Sequence, residues 1–318
     1  MNDYAELHCL SNFTFLRGAS HPEELVATAA TLGYAALAIT DECSLAGIVR
    51  AHVAAKEHGL PLIVGTEIRV EEGHRLVLLA PDDTAYQQLC RLISRGRRRS
   101  EKGRYCLHLD DLGEAVDHCL LILIPAEGTD ALPLDWLTRW HHGRAWLAVQ
   151  RLLTGDEERC IARLTQLARQ HHIPLVACGN VHMHVRERRP LQDILTAIRH
   201  NTPVARLGHR LFANGERHLR RRETLARLYR RAWLDESLRI AARCRFSLDS
   251  LRYDYPDDVT PPGESADDYL HRLAREGMRT HWPRGAPERV RKQVAHELGI
   301  IRELNYAPYF LTVHDIIR

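Results

Sequence analysis

Side chains that can bind a divalent cation follow several apolar runs of this sequence, at the points where the runs end. Imidazole and carboxylate groups are ligands that Zn²⁺ and Mn²⁺ use in proteins, and a cluster of them activates water for the hydrolysis of phosphoesters. The sequence therefore contains the residue types of a hydrolytic metal site. The candidate residues are His8, Asp41, Glu42, Glu67, Asn180 and His182.

The set is incomplete around its first member. His8 lies in ELHCLSNFTFLRGAS (residues 6–20), but Leu10 stands two places later and the next charged residue is Arg17. A zinc or manganese cluster needs more than one imidazole, and a single His after a strand is more often a structural hydrogen-bonding group. VHMHV (181–185) fits a polar strand end as well as a pair of ligands. The residue types alone leave both interpretations open.

Short apolar runs alternate with helical patterns, which predicts parallel strands joined by crossover helices. Polar residues follow several strands, and this favours a closed (β/α) barrel over an open sheet, because a barrel gathers the carboxyl ends of its strands on one face. We expect Ser20 to be the N-cap of the first helix, with Pro22 in its first turn and Gly33 at its end. The predicted strands cover residues 4–9, 34–40, 60–70, 75–80, 119–124, 144–149 and 173–178, and the predicted helices cover residues 20–33, 44–59, 82–95, 130–141 and 156–172.

The last third of the chain has a different pattern. Arg-rich helices are expected beyond about residue 205, followed by a connector rich in Pro and Asp, SLRYDYPDDVTPPGESADD (250–268). Residues 267–282 and 286–306 read as two amphipathic helices of another domain. The final segment, APYFLTVHDIIR, stops inside an apolar helix without a cap, so the chain looks truncated.

Composition and cysteine usage narrow the class of protein. With 45% hydrophobic and 27% charged residues among 318, the chain has an ordinary globular composition. No stretch approaches the roughly 20 apolar residues of a membrane span, and no signal peptide precedes the first strand. We therefore expect a cytoplasmic protein without membrane contact. Eight cysteines without a C-x-x-C pair predict small core residues in a reducing compartment.

Arginine is concentrated in three clusters at residues 94–104, 186–189 and 217–231. Arginine at this density suits contact with phosphate groups, although a solvated helix face explains any single cluster equally well. The candidates for contact with DNA phosphates are Arg95, Arg97, Arg98, Arg99, Lys102, Arg220, Arg221 and Arg222.

Five segments together resemble the N-terminal part of bacterial error-prone DNA polymerases, which are C-family relatives of the DNA polymerase III α-subunit. The segments are AELHCLSNFTFLRGAS, ALAITDECSLAGIVRAHVAAKEHGLPLIVGTEI, RLVLLAPDDTAYQQLCRLIS, VACGNVHMHV and ELNYAPYFLTVHDIIR. The resemblance extends over essentially the whole chain. It implies a polymerase-and-histidinol-phosphatase (PHP) domain over residues 1–250, an irregular seven-stranded α/β barrel. Residues 251–318 would be a linker and the mainly helical beginning of the palm region.

The chain departs from the metal-binding pattern of this family at several positions. The family motif His-x-His corresponds to His8-Cys9-Leu10, and an Asp that precedes Gly corresponds to Arg17. The family motif Thr-Asp-His is Thr40-Asp41-Glu42 here, whereas the acid at Glu67 is retained.

Two more family positions lie further along the chain. The late Asp-x-His motif corresponds to Asn180-Val181-His182, so its Asp is lost. A family His before the fourth strand falls at Arg75 or at His74, and the alignment between these two stays open.

These departures argue against a full trinuclear metal site. We hypothesise that Arg17 pairs with Glu42, Glu67 or both, so that a fixed guanidinium replaces the metal. In one alternative Arg17 points to solvent. In another, a reduced site on His8, Glu67 and His182 still holds one Zn²⁺ or Mn²⁺.

The resemblance implies that this chain is the non-polymerising part of a damage-tolerance DNA polymerase, with the barrel as a scaffold and DNA-contact module. No catalytic residue is expected within it, because the palm carboxylates that hold two Mg²⁺ would lie beyond Arg318. Implied partners are primer–template DNA, a sliding clamp and other damage-response mutagenesis proteins. Alternative functions are a metal-dependent phosphoesterase or 3′–5′ exonuclease in the barrel. A free-standing phosphatase of the histidinol-phosphate type is disfavoured by the palm-like segment after Pro256.

Overall fold

The computed structural model describes residues 3–125, 132–140, 142–155, 157–251 and 260–317. The chain divides into two compact units, Met1–Leu251 and Arg252–Arg318. Residues 252–259, much of the predicted connector, lie outside the described residues. So do residues 130, 131 and 141 of the predicted fourth helix and residue 156 of the predicted fifth.

Seven strands form one sheet in the first unit, and their spatial order follows the chain. The predicted α/β class with seven strands is confirmed. The strands are parallel except that β4 is antiparallel to β3 and to β5. They are β1 (Ala5–Glu6), β2 (Ala36–Ile39), β3 (Leu62–Arg69), β4 (Arg75–Leu79), β5 (Leu120–Ile124), β6 (Ala145–Val149) and β7 (Leu175–Ala177).

The expectation of parallel strands was wrong for β4. Only residues 70–74 separate β3 from β4, too few for the dozen or more that a parallel crossover needs. Val70 N instead bonds to the carbonyl oxygen of His74 at 3.0 Å and closes a hairpin. Because β4 runs backwards, its first residue lies at the end of the sheet where β3 finishes.

The sheet curls so that its first and last strands meet just beyond their carboxyl ends. Leu10 N donates to the carbonyl oxygen of Val181 at 2.8 Å, and Val181 N donates to that of His8 at 2.9 Å. This single parallel bridge between the segments after β1 and β7 closes an irregular barrel. We call the face formed by the carboxyl ends of β1, β2, β3 and β7 the mouth.

Helices cover the outside of the barrel. Those of the first unit are α1 (Pro22–Thr31), α2 (Ile48–His58), α3 (Asp83–Arg98), α4 (Leu134–Trp140), α5 (Glu157–Gln170), α6 (Arg189–Arg199), α7 (Arg222–Leu228) and α8 (Arg231–Arg243). Pro22 is in the first turn as predicted, but the N-cap of α1 is His21 and not Ser20. The Ser20 hydroxyl is instead bonded to the His184 ring at 2.8 Å and so ties the start of α1 to the segment after β7.

Both faces of the strands are buried, as is usual for strands covered on both sides. Along β5, Leu121 and Leu123 join the outer core beneath the helices, whereas Leu120, Ile122 and Ile124 join the inner one. Ile240 of α8 packs into the inner core. Of the cysteines predicted to be core residues, Cys9, Cys43, Cys119 and Cys178 are buried, and Cys160 is exposed.

The second unit is helical where the structure describes it. It contains α9 (Ala266–His281), α10 (Glu288–Glu303) and α11 (Ala307–Ile317). The Ser265 hydroxyl caps α9 by accepting from Asp268 N at 3.1 Å. Among the described residues of either unit, no helix is both long enough and apolar enough to cross a bilayer.

Candidate site at the mouth of the barrel

Four predicted site residues form a continuous chain of polar contacts at the mouth. His8 Nε2 lies 2.7 Å from Glu67 Oε2, and both side chains are fully buried. Arg17 Nη1 donates to the other oxygen of that carboxylate, Glu67 Oε1, at 2.8 Å and also to Glu42 Oε2. Tyr105 completes the chain by donating its hydroxyl to Glu42 Oε1 at 2.9 Å. The structure therefore places one guanidinium group between two carboxylates.

The charges of these groups follow from their contacts. Burial alone would raise the pKa of Glu67, but the Arg17 guanidinium and the His8 hydrogen bond hold it well below its usual range. Burial lowers the pKa of His8, so its ring is neutral. Since Glu67 is ionised, the proton of the contact lies on His8 Nε2, which leaves His8 Nδ1 as a buried acceptor without a hydrogen-bond partner among the described residues.

The loop that carries Arg17 is tightly fixed. A Cβ atom on Gly18 would lie 1.9 Å from the carbonyl oxygen of Ser11, so only glycine fits after the arginine. Gln192 of α6 donates its side-chain amide to the Arg17 carbonyl oxygen at 2.7 Å. The close packing at Gly18 and the hydrogen bond to the Arg17 carbonyl oxygen therefore fix the backbone that carries the guanidinium group.

Asp41 has a different role from its neighbour in the sequence. Its carboxylate accepts from Ser11 N at 2.7 Å, from the Ser11 hydroxyl at 2.7 Å and from the Thr14 hydroxyl at 2.6 Å. Burial nevertheless leaves the pKa of Asp41 above its usual value. The carboxylate of Asp41 therefore holds the Arg17 loop against the end of β2, and it makes no hydrogen bond to the other candidate site residues.

On the β7 side of the mouth the contacts are between neutral groups. The ring of His182 donates through Nε2 to Asn180 Oδ1 at 3.0 Å, and Asn180 Nδ2 donates to Gln150 Oε1 at 3.1 Å. Burial, with the nearby guanidinium of Arg217, holds the pKa of His182 well below its usual value. Asn180 has a φ of 49°, a left-handed conformation that Asn tolerates better than most residues.

A buried carboxylate that the sequence analysis missed joins the two sides. Glu6 is 1% exposed and accepts from the Tyr4 hydroxyl at 2.9 Å, from His8 N at 3.0 Å and from Gly179 N at 3.0 Å. Burial raises its pKa from 4.5 to about 7, although these hydrogen bonds oppose the shift. Glu6 thereby connects the segments after β1 and β7 close to the bridge that closes the barrel. Its position inside a short strand gave no signal in the sequence.

The residues at the mouth do not fit a divalent cation. Both oxygens of Glu67 are used by His8 and Arg17, and a fixed positive charge stands where a metal would need to approach Glu42. At an effective dielectric of 20, two unit charges 4 Å apart repel by roughly 4 kcal/mol. Within the described part of the chain, no group of three or more His, Cys, Asp or Glu side chains is arranged to hold a metal ion. Asn180 and His182 lie on the other side and do not join Glu42 or Glu67 through any hydrogen bond.

The arginines predicted to contact DNA differ in availability. Arg97 donates to the carbonyl oxygens of Cys43 and Glu42 and stacks on the ring of Tyr105, so it fixes α3 to the mouth. Arg220 is 5% exposed, and its guanidinium binds Glu216 at 3.3 Å, which leaves it unavailable to a phosphate.

The other candidates lie closer to solvent. Arg95 and Arg99 both pair with Asp111, and Arg222 pairs with Asp3. The exposed candidates for which the structure describes no hydrogen bond or ion pair of the side chain are Arg98, Lys102 and Arg221.

Two family models match the chain. The model described as PHP domain matches residues 6–130, and the model described as bacterial DNA polymerase III alpha NTPase domain matches residues 268–318. A solved amidohydrolase from Chromobacterium violaceum superposes with a TM-score of 0.42 at 17% identity, covering 56% of this chain and 87% of that one. A likeness at that level carries no argument.

Curated relatives match the chain from end to end. An error-prone DNA polymerase of Methylococcus capsulatus is 55% identical over 316 residues, which cover 99% of this chain and 30% of the relative. One of Pseudomonas paraeruginosa is 53% identical over 317 residues, covering 100% of this chain and 31% of the relative. The chain thus spans about a third of the length of these relatives. The resemblance seen in the sequence is confirmed, and the chain belongs to the error-prone DNA polymerase family, of which it represents an N-terminal part.

Proposed function

We propose that this chain is a non-catalytic scaffold within an error-prone, DNA-directed DNA polymerase. One observation carries the proposal: the guanidinium of Arg17 lies between the carboxylates of Glu42 and Glu67. A fixed cation in this position neutralises the strand ends without a metal ion, so the barrel keeps its fold and gives up water activation. In this account His8 and His182 are remnants with structural roles.

Nucleotidyl transfer would then depend on parts of the polymerase outside this chain. Carboxylates of a palm region would hold two Mg²⁺ there, as the family resemblance implies. The proposed substrate is primer–template DNA, and a sliding clamp and other damage-response proteins are proposed partners. Work on chromosomal DNA would place the protein in the cytoplasm.

The surface of α3 supports a contact with DNA. Arg91, Arg95 and Arg98 are spaced by four and three residues and therefore follow one face of the helix. They line a groove of about 530 Å³ together with Cys90, Ser94 and Arg99. Guanidinium groups aligned in this way suit successive phosphates without reading the bases. We propose that this groove, and not Arg97 or Arg220, makes the contact.

A metal-dependent phosphoesterase or exonuclease is the competing function, and metal analysis separates the two. The full 318-residue chain is exposed to Zn²⁺ and Mn²⁺ and desalted, its metal content is determined, and the same sample is assayed for 3′-exonuclease activity on single-stranded DNA. We expect no stoichiometric metal and no cleavage. Stoichiometric metal with activity that His8→Ala abolishes, and that the exposed-site control His118→Ala retains, would overturn the scaffold proposal.

The DNA contact has its own test. We expect Arg91→Ala and Arg98→Ala each to weaken binding of the chain to duplex DNA independently of sequence, and to lower the slope of log affinity against log salt by roughly one unit. Arg239→Ala is the matched control, because Arg239 is a 76% exposed arginine on α8. Equal effects of all three variants would show that α3 has no special role.

A further inference from the structure

Three arginines near the mouth form no ion pair among the residues that the structure describes. They are Arg69 at the end of β3, Arg75 at the start of β4 and Arg199 at the end of α6. Arg75 is half-buried, and Arg69 and Arg199 are exposed. None of these residues contributes to the proposed scaffold or to the groove on α3.

The hairpin brings two of these charges together. Arg69 and Arg75 are directly opposed partners in the antiparallel pairing of β3 with β4. Like charges in this position destabilise a sheet, because the side chains of opposed residues are neighbours. Glu67 precedes Arg69 by two residues on the same face of β3, so the pair lies beside the buried carboxylate that Arg17 binds. The half-buried Arg75 is therefore the cross-strand neighbour of Arg69, and it lies within electrostatic range of Arg17.

The third charge comes from α6, whose inner face lies against the Arg17 loop. Gln192 on that face bonds to the Arg17 carbonyl oxygen, and Thr196 is buried one turn later. Arg199 is the next residue on the same stripe, at the i+7 position from Gln192. Arg199 is exposed as a whole, but partial burial and then the positive charge of Arg17 lower its pKa, so the two guanidinium groups lie within electrostatic range of each other.

The arrangement carries an excess of positive charge. The four arginines carry four positive charges, and the carboxylates of Glu42 and Glu67 carry two negative charges. Burial lowers the pKa of Arg75, and the guanidinium groups of Arg17 and Arg69 add to the shift, whereas Glu67 opposes it. The half-buried charge of Arg75 has no ion-pair partner among the described residues, which is costly, and a bound anion would offset that cost. Within this set of residues, two positive charges remain without a carboxylate.

We propose that Arg17, Arg69, Arg75 and Arg199 form a binding site for a phosphate monoester dianion. A phosphate monoester carries close to two negative charges at neutral pH, which matches the excess. The planar fork of guanidinium groups also fits its oxygens. The inference rests on these four residues and their neighbours, and it does not depend on the polymerase function proposed above.

Binding of inorganic phosphate to the full chain tests the site. Titration is followed by calorimetry for the wild type, for Arg75→Gln and for Arg199→Gln, with Arg239→Gln on the surface of α8 as the control. We expect saturable binding that each mouth variant weakens by about tenfold or more, since each loses a charge-assisted hydrogen bond. Arg239→Gln should bind as the wild type does. Absence of saturable binding, or binding that both mouth variants leave unchanged, would overturn the proposal.

Thermal unfolding without phosphate shows whether a variant binds phosphate weakly because it folds less stably. Because Arg75 is half-buried without an ion-pair partner among the described residues, Arg75→Gln should unfold at the same temperature as the wild type or above it. Added phosphate should raise the unfolding temperature of the wild type more than that of Arg75→Gln. An equal rise in both proteins would contradict the site.

Two sources of the phosphate group remain to be distinguished. Single-stranded oligonucleotides with a 5′-phosphate, with a 3′-phosphate and with neither are compared in competition with inorganic phosphate. If a terminal phosphate strengthens binding and Arg75→Gln removes the gain, the site holds a DNA end. If inorganic phosphate binds and the terminal phosphates add nothing, the site serves a small phosphate compound.

Discussion

On the β2–β3 side of the mouth, the carboxylates of Glu42 and Glu67 share the guanidinium of Arg17. On the β7 side, Gln150, Asn180 and His182 form a hydrogen-bonded chain without any charge. One side holds two carboxylates that share a guanidinium, whereas the other consists of two amides and a neutral imidazole. The difference shows two ways to bury polar groups at the mouth, one by ion pairing and one by hydrogen bonds between neutral side chains.

The largest expected effect comes from breaking the charged side. Arg17→Met leaves the buried carboxylate of Glu67 without its cation, and loss of one partner of a buried pair costs about 3 kcal/mol or more. We expect this loss in the free energy of unfolding, measured by urea denaturation at pH 7.5. It should shrink in acid, where Glu67 can take up a proton.

The matched control is Arg239→Met. Arg239 also pairs with a glutamate, Glu236, at 3.0 Å, but it is 76% exposed. Exposed pairs of this kind contribute at most about 1 kcal/mol. Similar losses in the two variants would mean that burial at the mouth has no influence on the strength of the ion pair.

A second prediction concerns Glu6, which connects the two sides. Its pKa is raised by burial from 4.5 to about 7, so the folded state favours the protonated form. The stabilisation from this proton is complete below pH 4.5 and is lost as the pH rises through about 7, a difference of about 3 kcal/mol. Glu6→Gln keeps an acceptor for His8 N and Gly179 N and cannot ionise.

The variant should therefore gain stability relative to the wild type as the pH rises. Urea denaturation of both proteins between pH 5 and pH 8.5 measures the difference. Glu57→Gln, at an exposed position of α2, should follow the wild type throughout. A constant difference between Glu6→Gln and the wild type would show that Glu6 does not change protonation in this range.

A smaller effect is expected from charging the neutral side. Asn180→Asp places a carboxylate oxygen against Gln150 Oε1 in a fully buried position. Loss of that hydrogen bond and burial of an unpaired charge should cost about 2 kcal/mol, and less in acid. Asn201→Asp is the control, because Asn201 has a similar φ of 45° and is exposed. A variant as stable as this control would contradict the view that the β7 side is balanced by neutrality.

Much of the fold could be predicted because its signals are local. The apolar runs locate all seven strands, and Gly33 and Gly59 lie at the ends of the first two helices with positive φ. The antiparallel β4 was also predictable in principle, since five residues between two strands cannot hold a crossover. The N-cap of α1 was not, because Ser20 meets His184, a residue distant in the sequence.

The site could be predicted only in part for the same reason. Residues that follow strands converge at the mouth, so His8 and Glu67 were found from their positions alone. Glu6, Tyr105 and Gln192 contact site residues that are distant in the sequence, and no spacing of residue types predicts these contacts. The predicted contacts of the arginine clusters with DNA stay a prediction, although Arg220 is buried and pairs with Glu216 four residues before it.

A double-mutant cycle measures whether the guanidinium of Arg17 takes the place of a metal cation at Glu67. The free energies of unfolding of the wild type, Arg17→Met, Glu67→Gln and the double variant are measured by urea denaturation at pH 7.5. We predict a coupling energy of about 2 kcal/mol or more, with the double variant more stable than Arg17→Met. Additive losses, with no coupling between the two positions, would contradict the account.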